Sequence, residues 1–539
     1  MRLCFYVNPA NARLWLEQVG TRLREDLGAE VVVFWSDKRP LPDHVLKLLK
    51  HEKRTCHKGT VQLSDPLDTE GTSFDTFDVS ISHSARVKLA FDLVIDLVGN
   101  GNVPIGDDVV TVRYDGHPGD EALVGAILKR GMPQIAFTNA EGKLVATARP
   151  SGELAVGLSG SMDQVYARLS TLLKAYINHP HRGAEPLDEK PVALPSARQL
   201  LARTIKVRLK YLVKQGYYRI FRPGHWRIGW RWLADEGVWD RQAMAGERWR
   251  ILKDEETHFY ADPVPWIKDG RHYLFFEDLD ENTQKGVISV VAFDEDGNPG
   301  PARVCLEEDF HLSYPFLISH QGETYMIPET SANRDIALYK ASSFPFGWQR
   351  VATLIEGIEA ADATITRFEG RWWLFCVTRD GGGYSDCLSI FYADDLFGPW
   401  QPHQQNPVLI DVSAARPAGN FVMDGDRLLR PVQECSRSYG AGLKLVEVTR
   451  LTPEVYEQKE ICLLGPDAHW PGRKLHMLNR AGNLEVIDGA ILRPRLSWLR
   501  ALFDRHFEPR GTEPDAPYKP PREPQGLSEE KPGSVRSYG

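Results

Sequence analysis

Apolar runs and amphipathic stretches alternate along the first third of the chain. Runs rich in β-branched and aromatic residues occupy positions 29–36, 77–83, 91–99, 108–114 and 133–138. Between them lie stretches in which apolar residues recur at helical spacing, such as 10–28 and 120–131. Strands that alternate with helices are typical of an α/β domain with a mainly parallel sheet. The pattern therefore predicts such a domain, with a Rossmann-like arrangement, over residues 1–175.

A different pattern, made of short strands and tight turns, repeats between residues 236 and 492. Each unit has an apolar strand, a polar turn and a second strand rich in aromatic or apolar residues. Units begin at Asp262, Tyr314, Asp362 and Arg416, with a weaker one at Leu475. A period of roughly 50–60 residues is typical of a four-stranded antiparallel blade, so the repeat predicts a five-bladed β-propeller. The fifth unit is short of strands, and we expect sequence near 236–252 to close the ring.

Residues 176–235 form a polar linker followed by a basic, aromatic-rich segment that we expect to be helical. No acidic residue occurs between Glu189 and Asp235, although the whole chain has a net charge of -8. Such a segment, over 196–234, could lie on an anionic membrane surface or hold an anionic substrate. The alternative is a basic helix that packs on the acidic remainder of the protein.

The sequence of residues 493–539 predicts one short amphipathic helix, followed by a tail rich in proline and charged residues. A segment with so little apolar surface to bury is expected to be disordered.

Composition narrows the class of protein. A length of 539 residues favours two or more domains. The seven cysteines include no closely spaced pair, which argues against a zinc cluster or a disulfide framework and favours a reducing compartment. No secretory signal or membrane-spanning segment is apparent. We expect a cytoplasmic protein, or one peripheral to the inner face of the membrane, with no metal site marked by ligand spacing and no nucleic-acid partner.

Blade geometry gathers the candidate site. The start of the first strand and the end of the second strand of each blade lie at the same end of the ring. That end should collect Asp262, Glu277, Tyr314, Glu329, Asp362, Arg379, Arg416, Gln433, Glu434, His476 and Asp488. Carboxylates crowded near arginines acquire shifted pKa values and can act as acids, bases or hydroxyl ligands, which suits a carbohydrate. The alternative for any one of them is a residue that only caps a strand or a turn.

The Asp-Pro of the first blade resembles that of the furanosidase and xylosidase clan of glycoside hydrolases. The resemblance implies that Asp262 is a base and that Asp362 is its supporting carboxylate. The clan's acidic Glu falls at Arg416, which cannot donate a proton at neutral pH. Plain hydrolysis is therefore not expected, although Glu329 or Glu434 could supply an acid from a second strand.

A closer resemblance covers all five predicted blades. The elements ADP, SYPF, IPE, DAT, RPVQ and VIDG resemble the N-terminal domain of plant glucosamine inositolphosphorylceramide transferases and of bacterial relatives found with surface-polysaccharide genes. The resemblance implies a role in glycan or glycolipid biosynthesis. In the plant proteins the transferase chemistry is attributed to a separate C-terminal domain, which we do not expect in this chain.

The first domain resembles folate-dependent formyltransferases. Their Asn-x-His-Pro loop is matched here by His117 and Pro118, with Asp115 at the place of the Asn. The resemblance implies a degenerate member in which Asp115 and His117 form a vestigial site; the cofactor, folate or another, stays unknown.

These observations leave several functions open. The first hypothesis is a sugar transferase or glycan-modifying enzyme with a carbohydrate or glycolipid substrate. Its catalytic candidates are Asp262, Asp362, Glu329 and Glu434, and Arg416 would hold an anionic or hydroxyl group. The alternatives are a non-catalytic glycan-binding scaffold, an amino-sugar formyltransferase and a glycoside hydrolase.

Overall fold

The computed structural model describes residues 1–78, 90–101, 103–104, 106–180, 186–187, 189–190, 193–255, 257–513 and 516. Most of the predicted tail, and part of the predicted strand at 77–83, lie outside these residues. An α/β domain comes first, with strands β1 (Arg2–Val7), β2 (Glu30–Trp35), β3 (Asp75–Asp78), β4 (Phe91–Asp96), β5 (Gly106–Tyr114), β6 (His117–Pro118), β7 (Ile135–Thr138) and β8 (Leu144–Ala148). Its helices are α1 (Trp15–Leu27), α2 (Asp43–Thr55), α3 (Asp120–Lys129) and α4 (Gly157–Asn178).

The sheet of this domain is mixed, with a parallel part of five strands and an antiparallel edge. In the order β3-β2-β1-β4-β5-β7-β8, the first five strands run parallel, whereas β7 and β8 are antiparallel to their neighbours. The segment between β5 and β7 begins and ends at the same edge of the sheet, because Asp115 N–H donates to Gln134 O at 3.0 Å. The chain therefore re-enters the sheet in the reverse direction. The likeness of the domain to formyltransferases stays a prediction.

The predicted five-bladed propeller is confirmed. Blades one and two comprise β11 (His258–Lys268), β12 (Arg271–Asp280), β13 (Lys285–Ala292) and β14 (Arg303–Leu306), then β15 (Ser313–His320), β16 (Glu323–Glu329), β17 (Asp335–Ser343) and β18 (Phe346–Glu356). Blade three has β19 (Ala360–Phe368), β20 (Arg371–Thr378), β21 (Cys387–Ala393), β22 (Gln401–Pro402) and β23 (Leu409–Ile410). Blade four has β24 (Val422–Asp424), β25 (Arg427–Glu434), β26 (Gly442–Leu451) and β27 (Tyr456–Leu464).

The fifth blade joins the two ends of the propeller sequence. Its strands are β10 (Arg250–Ile251), β9 (Phe221–Trp232), β29 (Leu484–Pro494) and β28 (Leu478–Ala481), in that order. The ring is closed mainly by β9, which lies upstream of the expected 236–252, so the propeller begins at 221 rather than 236. The basic residues of this segment suggested a helix, yet Arg231 is buried and pairs with Glu485 at 2.7 Å. The alternating Trp226, Ile228, Trp230 and Trp232 are the period-two pattern of a strand.

Three further helices belong to this half of the chain: α5 (Ala197–Ile220), the short α6 (Val238–Arg241) and α7 (Ser497–His506). The alternative in which the basic helix packs on the acidic remainder is not what the structure shows, because every residue of α5 from 205 to 216 is exposed. Among the described residues, none of the helices has the length and apolar character required to span a membrane.

Candidate functional site

The first strands of blades one to three share a backbone irregularity near their start. Asp262, Tyr314 and Asp362 have φ values of 54°, 44° and 54°. Each lies where the strand register shifts against the second strand of its blade. A bulge of this kind redirects a side chain, and non-glycine residues with left-handed φ concentrate at functional sites. The sequence repeat thus produces a geometric repeat at one end of the ring, which we call the mouth.

His476 links two aspartates at the mouth. Its Nδ1 lies 2.7 Å from Asp488 Oδ2, and its Nε2 lies 3.7 Å from Asp262 Oδ1. Backbone groups fix the same carboxylates, since Asp262 N–H donates to Asp488 at 3.0 Å and Tyr314 N–H donates to Asp262 at 3.2 Å. Asp262 of blade one is therefore held by contacts from blades two and five.

Asp362 and Arg416 form a buried ion pair. Arg416 Nε and Nη2 lie 2.5 Å and 3.3 Å from the two carboxylate oxygens of Asp362. Gln433 Nε2 donates to the same carboxylate at 3.2 Å. Arg416, which occupies the position of the acidic Glu in the hydrolase clan, is thus bound to Asp362 in bidentate fashion. This contact fixes the guanidinium beside the mouth.

Two glutamates complete the acidic part of the site. Glu277 Oε1 lies 3.3 Å from His311 Nε2. Glu329 accepts a hydrogen bond of 2.7 Å from the hydroxyl of Ser331, which opens a 3₁₀ helix over Ser331–Asn333. Both side chains come from the ends of second strands, as blade geometry predicts.

Burial and mutual repulsion alter the protonation of these groups. Burial, together with the neighbouring Asp362, raises the pKa of both Asp262 and Glu329 to about 7. The pKa of Glu277 is raised well above its ordinary value by burial and by the nearby Asp262. Burial would lower the pKa of His476, but the carboxylates of Asp488 and Asp262 outweigh it and raise the pKa. Carboxyl groups that titrate near neutrality are suited to proton transfer.

Aromatic rings cover this polar cluster. Trp226 stacks on His476 with ring centroids 3.8 Å apart, and the ring of Tyr439 lies 4.8 Å from the Arg416 guanidinium. The Lys474 ammonium lies 5.6 Å from the ring of Trp226 and 5.4 Å from that of Tyr439. Sequence reasoning missed all three residues. The signal in the sequence for one of them is the glycine that follows Tyr439. In the structure Gly440 has φ 62°, and a Cβ there would lie 3.0 Å from His476.

Two predicted site residues have other partners. Glu434 accepts from the backbone N–H of Ser436 at 3.0 Å, and none of the contacts described above for the mouth includes it. Arg379 pairs with Glu359 at 3.1 Å and has a side chain that is 43% exposed. The structure therefore brings Glu434 to the strand end without joining it to the acidic cluster, and it places Arg379 at the rim.

Three buried side chains of the mouth could hold a cation. One ligand atom from each of Asp262, His476 and Asp488 lies within 4.8 Å of the other two. Carboxylate oxygens are ligands of hard divalent cations, and an imidazole nitrogen is a ligand of transition metals. No ligand spacing in the sequence marks such a site.

The first domain packs beside the mouth. Arg168 of α4 pairs with Asp386 at 2.7 Å, and both side chains are 1% exposed. In the neighbouring loop, the Ser385 hydroxyl donates to Glu153 at 2.7 Å. Asp386 and Ser385 belong to the connection between β20 and β21, which lies at the mouth end of blade three. The α/β domain therefore contributes one wall beside the opening.

The two residues of the predicted vestigial site in that domain, Asp115 and His117, differ in burial. Asp115 is buried, accepts from Gln134 N–H at 3.0 Å and lies 3.5 Å from Arg130 Nε. His117 is exposed in the short strand β6. The carboxylate is thus committed to the loop that reverses the sheet.

The ionisation of Glu329 predicts a pH-dependent effect of Glu329→Gln on stability. The native pKa of about 7 exceeds the ordinary 4.5, so native Glu329 keeps a proton that the unfolded chain releases as pH rises between these values. Wild type therefore loses stability as pH rises from 4.5 to about 7, and a glutamine, which does not ionise, removes this loss. We expect the variant to exceed wild type at pH 8 by about 1–3 kcal/mol in the free energy of unfolding, with little difference at pH 4.5.

Urea denaturation at both pH values measures this effect. The exposed Glu295 provides a matched control, because Glu295→Gln should change the free energy by less than about 0.5 kcal/mol at either pH. A Glu329→Gln effect of equal size at the two pH values would contradict the assigned ionisation.

Solved structures with glycosidase propellers are similar to this chain at low identity. The catalytic domain of a Coprinopsis cinerea GH62 α-L-arabinofuranosidase is 15% identical, with 47% of this chain and 85% of that chain covered and a TM-score of 0.34. Zg3597, a family 117 glycoside hydrolase of Zobellia galactanivorans, is 12% identical, with 44% and 77% covered and a TM-score of 0.32.

Sequence comparison confirms the closer resemblance. Residues 252–488 match the family model of the N-terminal region of glucosamine inositolphosphorylceramide transferase 1. The protein of that name from Oryza sativa subsp. japonica is 33% identical over 263 residues, which are 46% of this chain and 35% of the rice protein. The Arabidopsis thaliana protein is 31% identical over 211 residues, 38% of this chain and 27% of that protein. The chain thus matches about a third of the length of these curated relatives, and its propeller is similar to their N-terminal region.

Proposed function

We propose that the chain acts in glycolipid or surface-polysaccharide biosynthesis as a sugar transferase or glycan-modifying enzyme, with its active site at the propeller mouth. The observation that supports this most is a pair of carboxyls at the mouth, the buried Asp262 and the half-buried Glu329, whose pKa values of about 7 suit them to proton transfer. The guanidinium of Arg416 and the ring of Tyr439 lie beside them. Acidic groups, a fixed cation and an aromatic face together match the hydroxyls, charge and apolar faces of a glycan.

The names of the relatives support the transferase reading. Their name, glucosamine inositolphosphorylceramide transferase, contains a sugar, glucosamine, and a phosphate-bearing lipid, inositolphosphorylceramide. A site with a fixed arginine fits a substrate with a phosphate or carboxylate, since the guanidinium stays positively charged at neutral pH.

In the proposed transfer, Asp262 acts as the base. A hydroxyl of the acceptor attacks the anomeric carbon of an activated sugar, its proton passes to Asp262, and the donor's leaving group departs with the bonding electron pair. Glu329, when protonated, donates to the departing oxygen. His476 positions Asp262, and Arg416 stabilises negative charge that develops nearby.

A glycan-binding scaffold without turnover is the second candidate. The locked pair of Asp362 and Arg416 favours it, because one carboxylate of the mouth is already neutralised by the arginine. A formyltransferase is less favoured, since Asp115 is committed to backbone contacts of its own loop.

A thermal-shift screen tests where ligands bind. Wild type and Tyr439→Ala are compared with nucleotide sugars, phosphosugars, short glycans and a formyl-folate analogue. A ligand at about 100 times its Kd should stabilise wild type by about 2.7 kcal/mol, and the alanine variant, which lacks the aromatic cover, should respond much less. Stabilisation by the folate analogue alone, equal in both proteins, would move the function to the first domain.

A further inference from the structure

The helix α5 presents an apolar stripe to solvent. Leu201, Ile205, Leu209 and Leu212 recur at intervals of three or four residues and are 62%, 60%, 61% and 65% exposed. Residues at this spacing lie on one face of a helix. A surface helix of a soluble domain normally turns such a stripe towards its core, so an exposed one indicates a surface that another partner covers.

The same helix has a strongly cationic character. Arg203, Lys206, Lys210 and Lys214 lie on the side of α5 opposite the apolar stripe, together with the exposed Val207 and Val213, and α5 contains no acidic residue. The whole chain has a net charge of -8, so this helix reverses the sign of the surrounding protein. A cationic helix with exposed apolar side chains is suited to the boundary between the headgroups and acyl chains of an anionic bilayer.

A second exposed apolar surface lies on α7, near the C-terminal end of α5. In α7, Trp498 is 67% exposed and Leu502 is 59% exposed. The two helices meet through blade five, where the rings of Phe221 and Phe503 lie 5.3 Å apart and Arg495 N–H donates to Ile220 O at 2.8 Å. Tryptophan is enriched at membrane interfaces because its ring is apolar and its N–H is polar.

The path of blade five shows which end of the propeller bears these helices. Asp488 lies at the mouth, and β29 continues past it to Pro494, which pairs with Phe221 of β9. Six further residues at strand spacing extend about 20 Å beyond the aspartate. Since α5 ends where β9 begins, and α7 follows β29, both helices project from the end of the ring that carries the mouth.

We propose that α5 and α7 dock the chain on an anionic lipid bilayer, with the propeller mouth turned towards the lipid headgroups. None of the described helices is suited to spanning a membrane, so the docking is interfacial. The apolar stripe enters the headgroup boundary while the lysines contact anionic phosphates. Together with the proposed function, this surface would bring the mouth to a glycolipid acceptor within the membrane.

Vesicle flotation tests the docking with the full chain. The protein is mixed with phosphatidylcholine vesicles, either pure or with a third of the lipid replaced by phosphatidylglycerol. We expect flotation with the anionic vesicles only. The triple variant Lys206→Glu, Lys210→Glu, Lys214→Glu should lower the partition coefficient on the order of 100-fold. A control with the same charge change at three exposed lysines elsewhere, Lys58→Glu, Lys143→Glu, Lys459→Glu, should bind as wild type does.

Several outcomes would overturn the proposal. Equal flotation with neutral vesicles, or equal loss in both triple variants, would remove the specific role of α5. Self-association of the wild type that disappears in the α5 variant, without vesicle binding, would instead assign the surface to a second copy of the chain. The result is separable from the proposed function, because Tyr439→Ala should keep vesicle binding and the α5 variant should keep its response to soluble sugars.

Discussion

Replacing Arg168 by methionine is expected to lower the free energy of unfolding by about 3–5 kcal/mol. The guanidinium is 1% exposed and joins α4 of the first domain to the mouth end of blade three. Besides Asp386, it donates to the carbonyls of Arg379, Asp380 and Gly383 at 3.0, 3.2 and 2.8 Å. Methionine fills much of the volume but leaves the Asp386 carboxylate buried, with the 2.6 Å hydrogen bond from Ser151 N–H as its described partner.

Urea denaturation measures this loss, and two variants isolate its cause. Arg427→Met removes an exposed arginine that pairs with Glu447 at 2.9 Å, and should change the free energy of unfolding little, because the pair is exposed to solvent. Arg168→Met combined with Asp386→Leu removes both buried charges, and should recover most of the loss. A cost for Arg168→Met no larger than that of Arg427→Met would show that the pair does not hold the two domains together.

The propeller could be predicted from sequence because its signal is local and repeated. The first strands of blades one to three carry a bulge residue near the start of the unit, at Asp262, Tyr314 and Asp362, so period and register are visible without knowledge of distant contacts. The closure of the ring is not local. Strand β9 pairs with β29, more than 250 residues later, and nothing within 221–232 identifies that partner.

The same distinction explains the candidate site. Blade geometry alone brings Asp262, Asp362 and Arg416 to one end, because it fixes where first strands start. Trp226 and Tyr439 come from the closing strand and from a loop, whose positions depend on how blades four and five pack.

Glu434 shows a different limit of sequence reasoning. Successive residues of a strand point to opposite sides, and Gln433 reaches Asp362 at 3.2 Å. Glu434 must therefore turn away from that carboxylate. The position of Glu434 at the end of its strand predicted that it lies at the mouth end of the ring. That position did not predict the direction in which its side chain points.

Asp262→Asn is expected to reduce turnover by about 10²–10⁴-fold, the usual contribution of a general base. Asparagine keeps the shape of the side chain and can still accept the hydrogen bond from Tyr314 N–H, but it cannot take a proton. The rate is measured as transfer from the nucleotide sugar or phosphosugar that stabilises wild type in the thermal-shift screen. Glu434→Gln is the matched control, because it removes a carboxylate of the same strand-end level that lies outside the acidic cluster, and it should retain wild-type turnover.

The pH profile distinguishes a proton-transfer role for Asp262 from a merely structural one. A base with a pKa of about 7 is active when ionised, so kcat/KM should rise as pH increases towards 7. An acid with a pKa of about 7, Glu329, is active when protonated, so kcat/KM should fall above that pH. The two groups influence each other, and the limits of the resulting bell belong to the pair. In Asp262→Asn the rising limb should disappear while the residual rate still falls above neutrality; a variant that keeps the full bell at a lower height would show that Asp262 positions other groups and does not accept the proton.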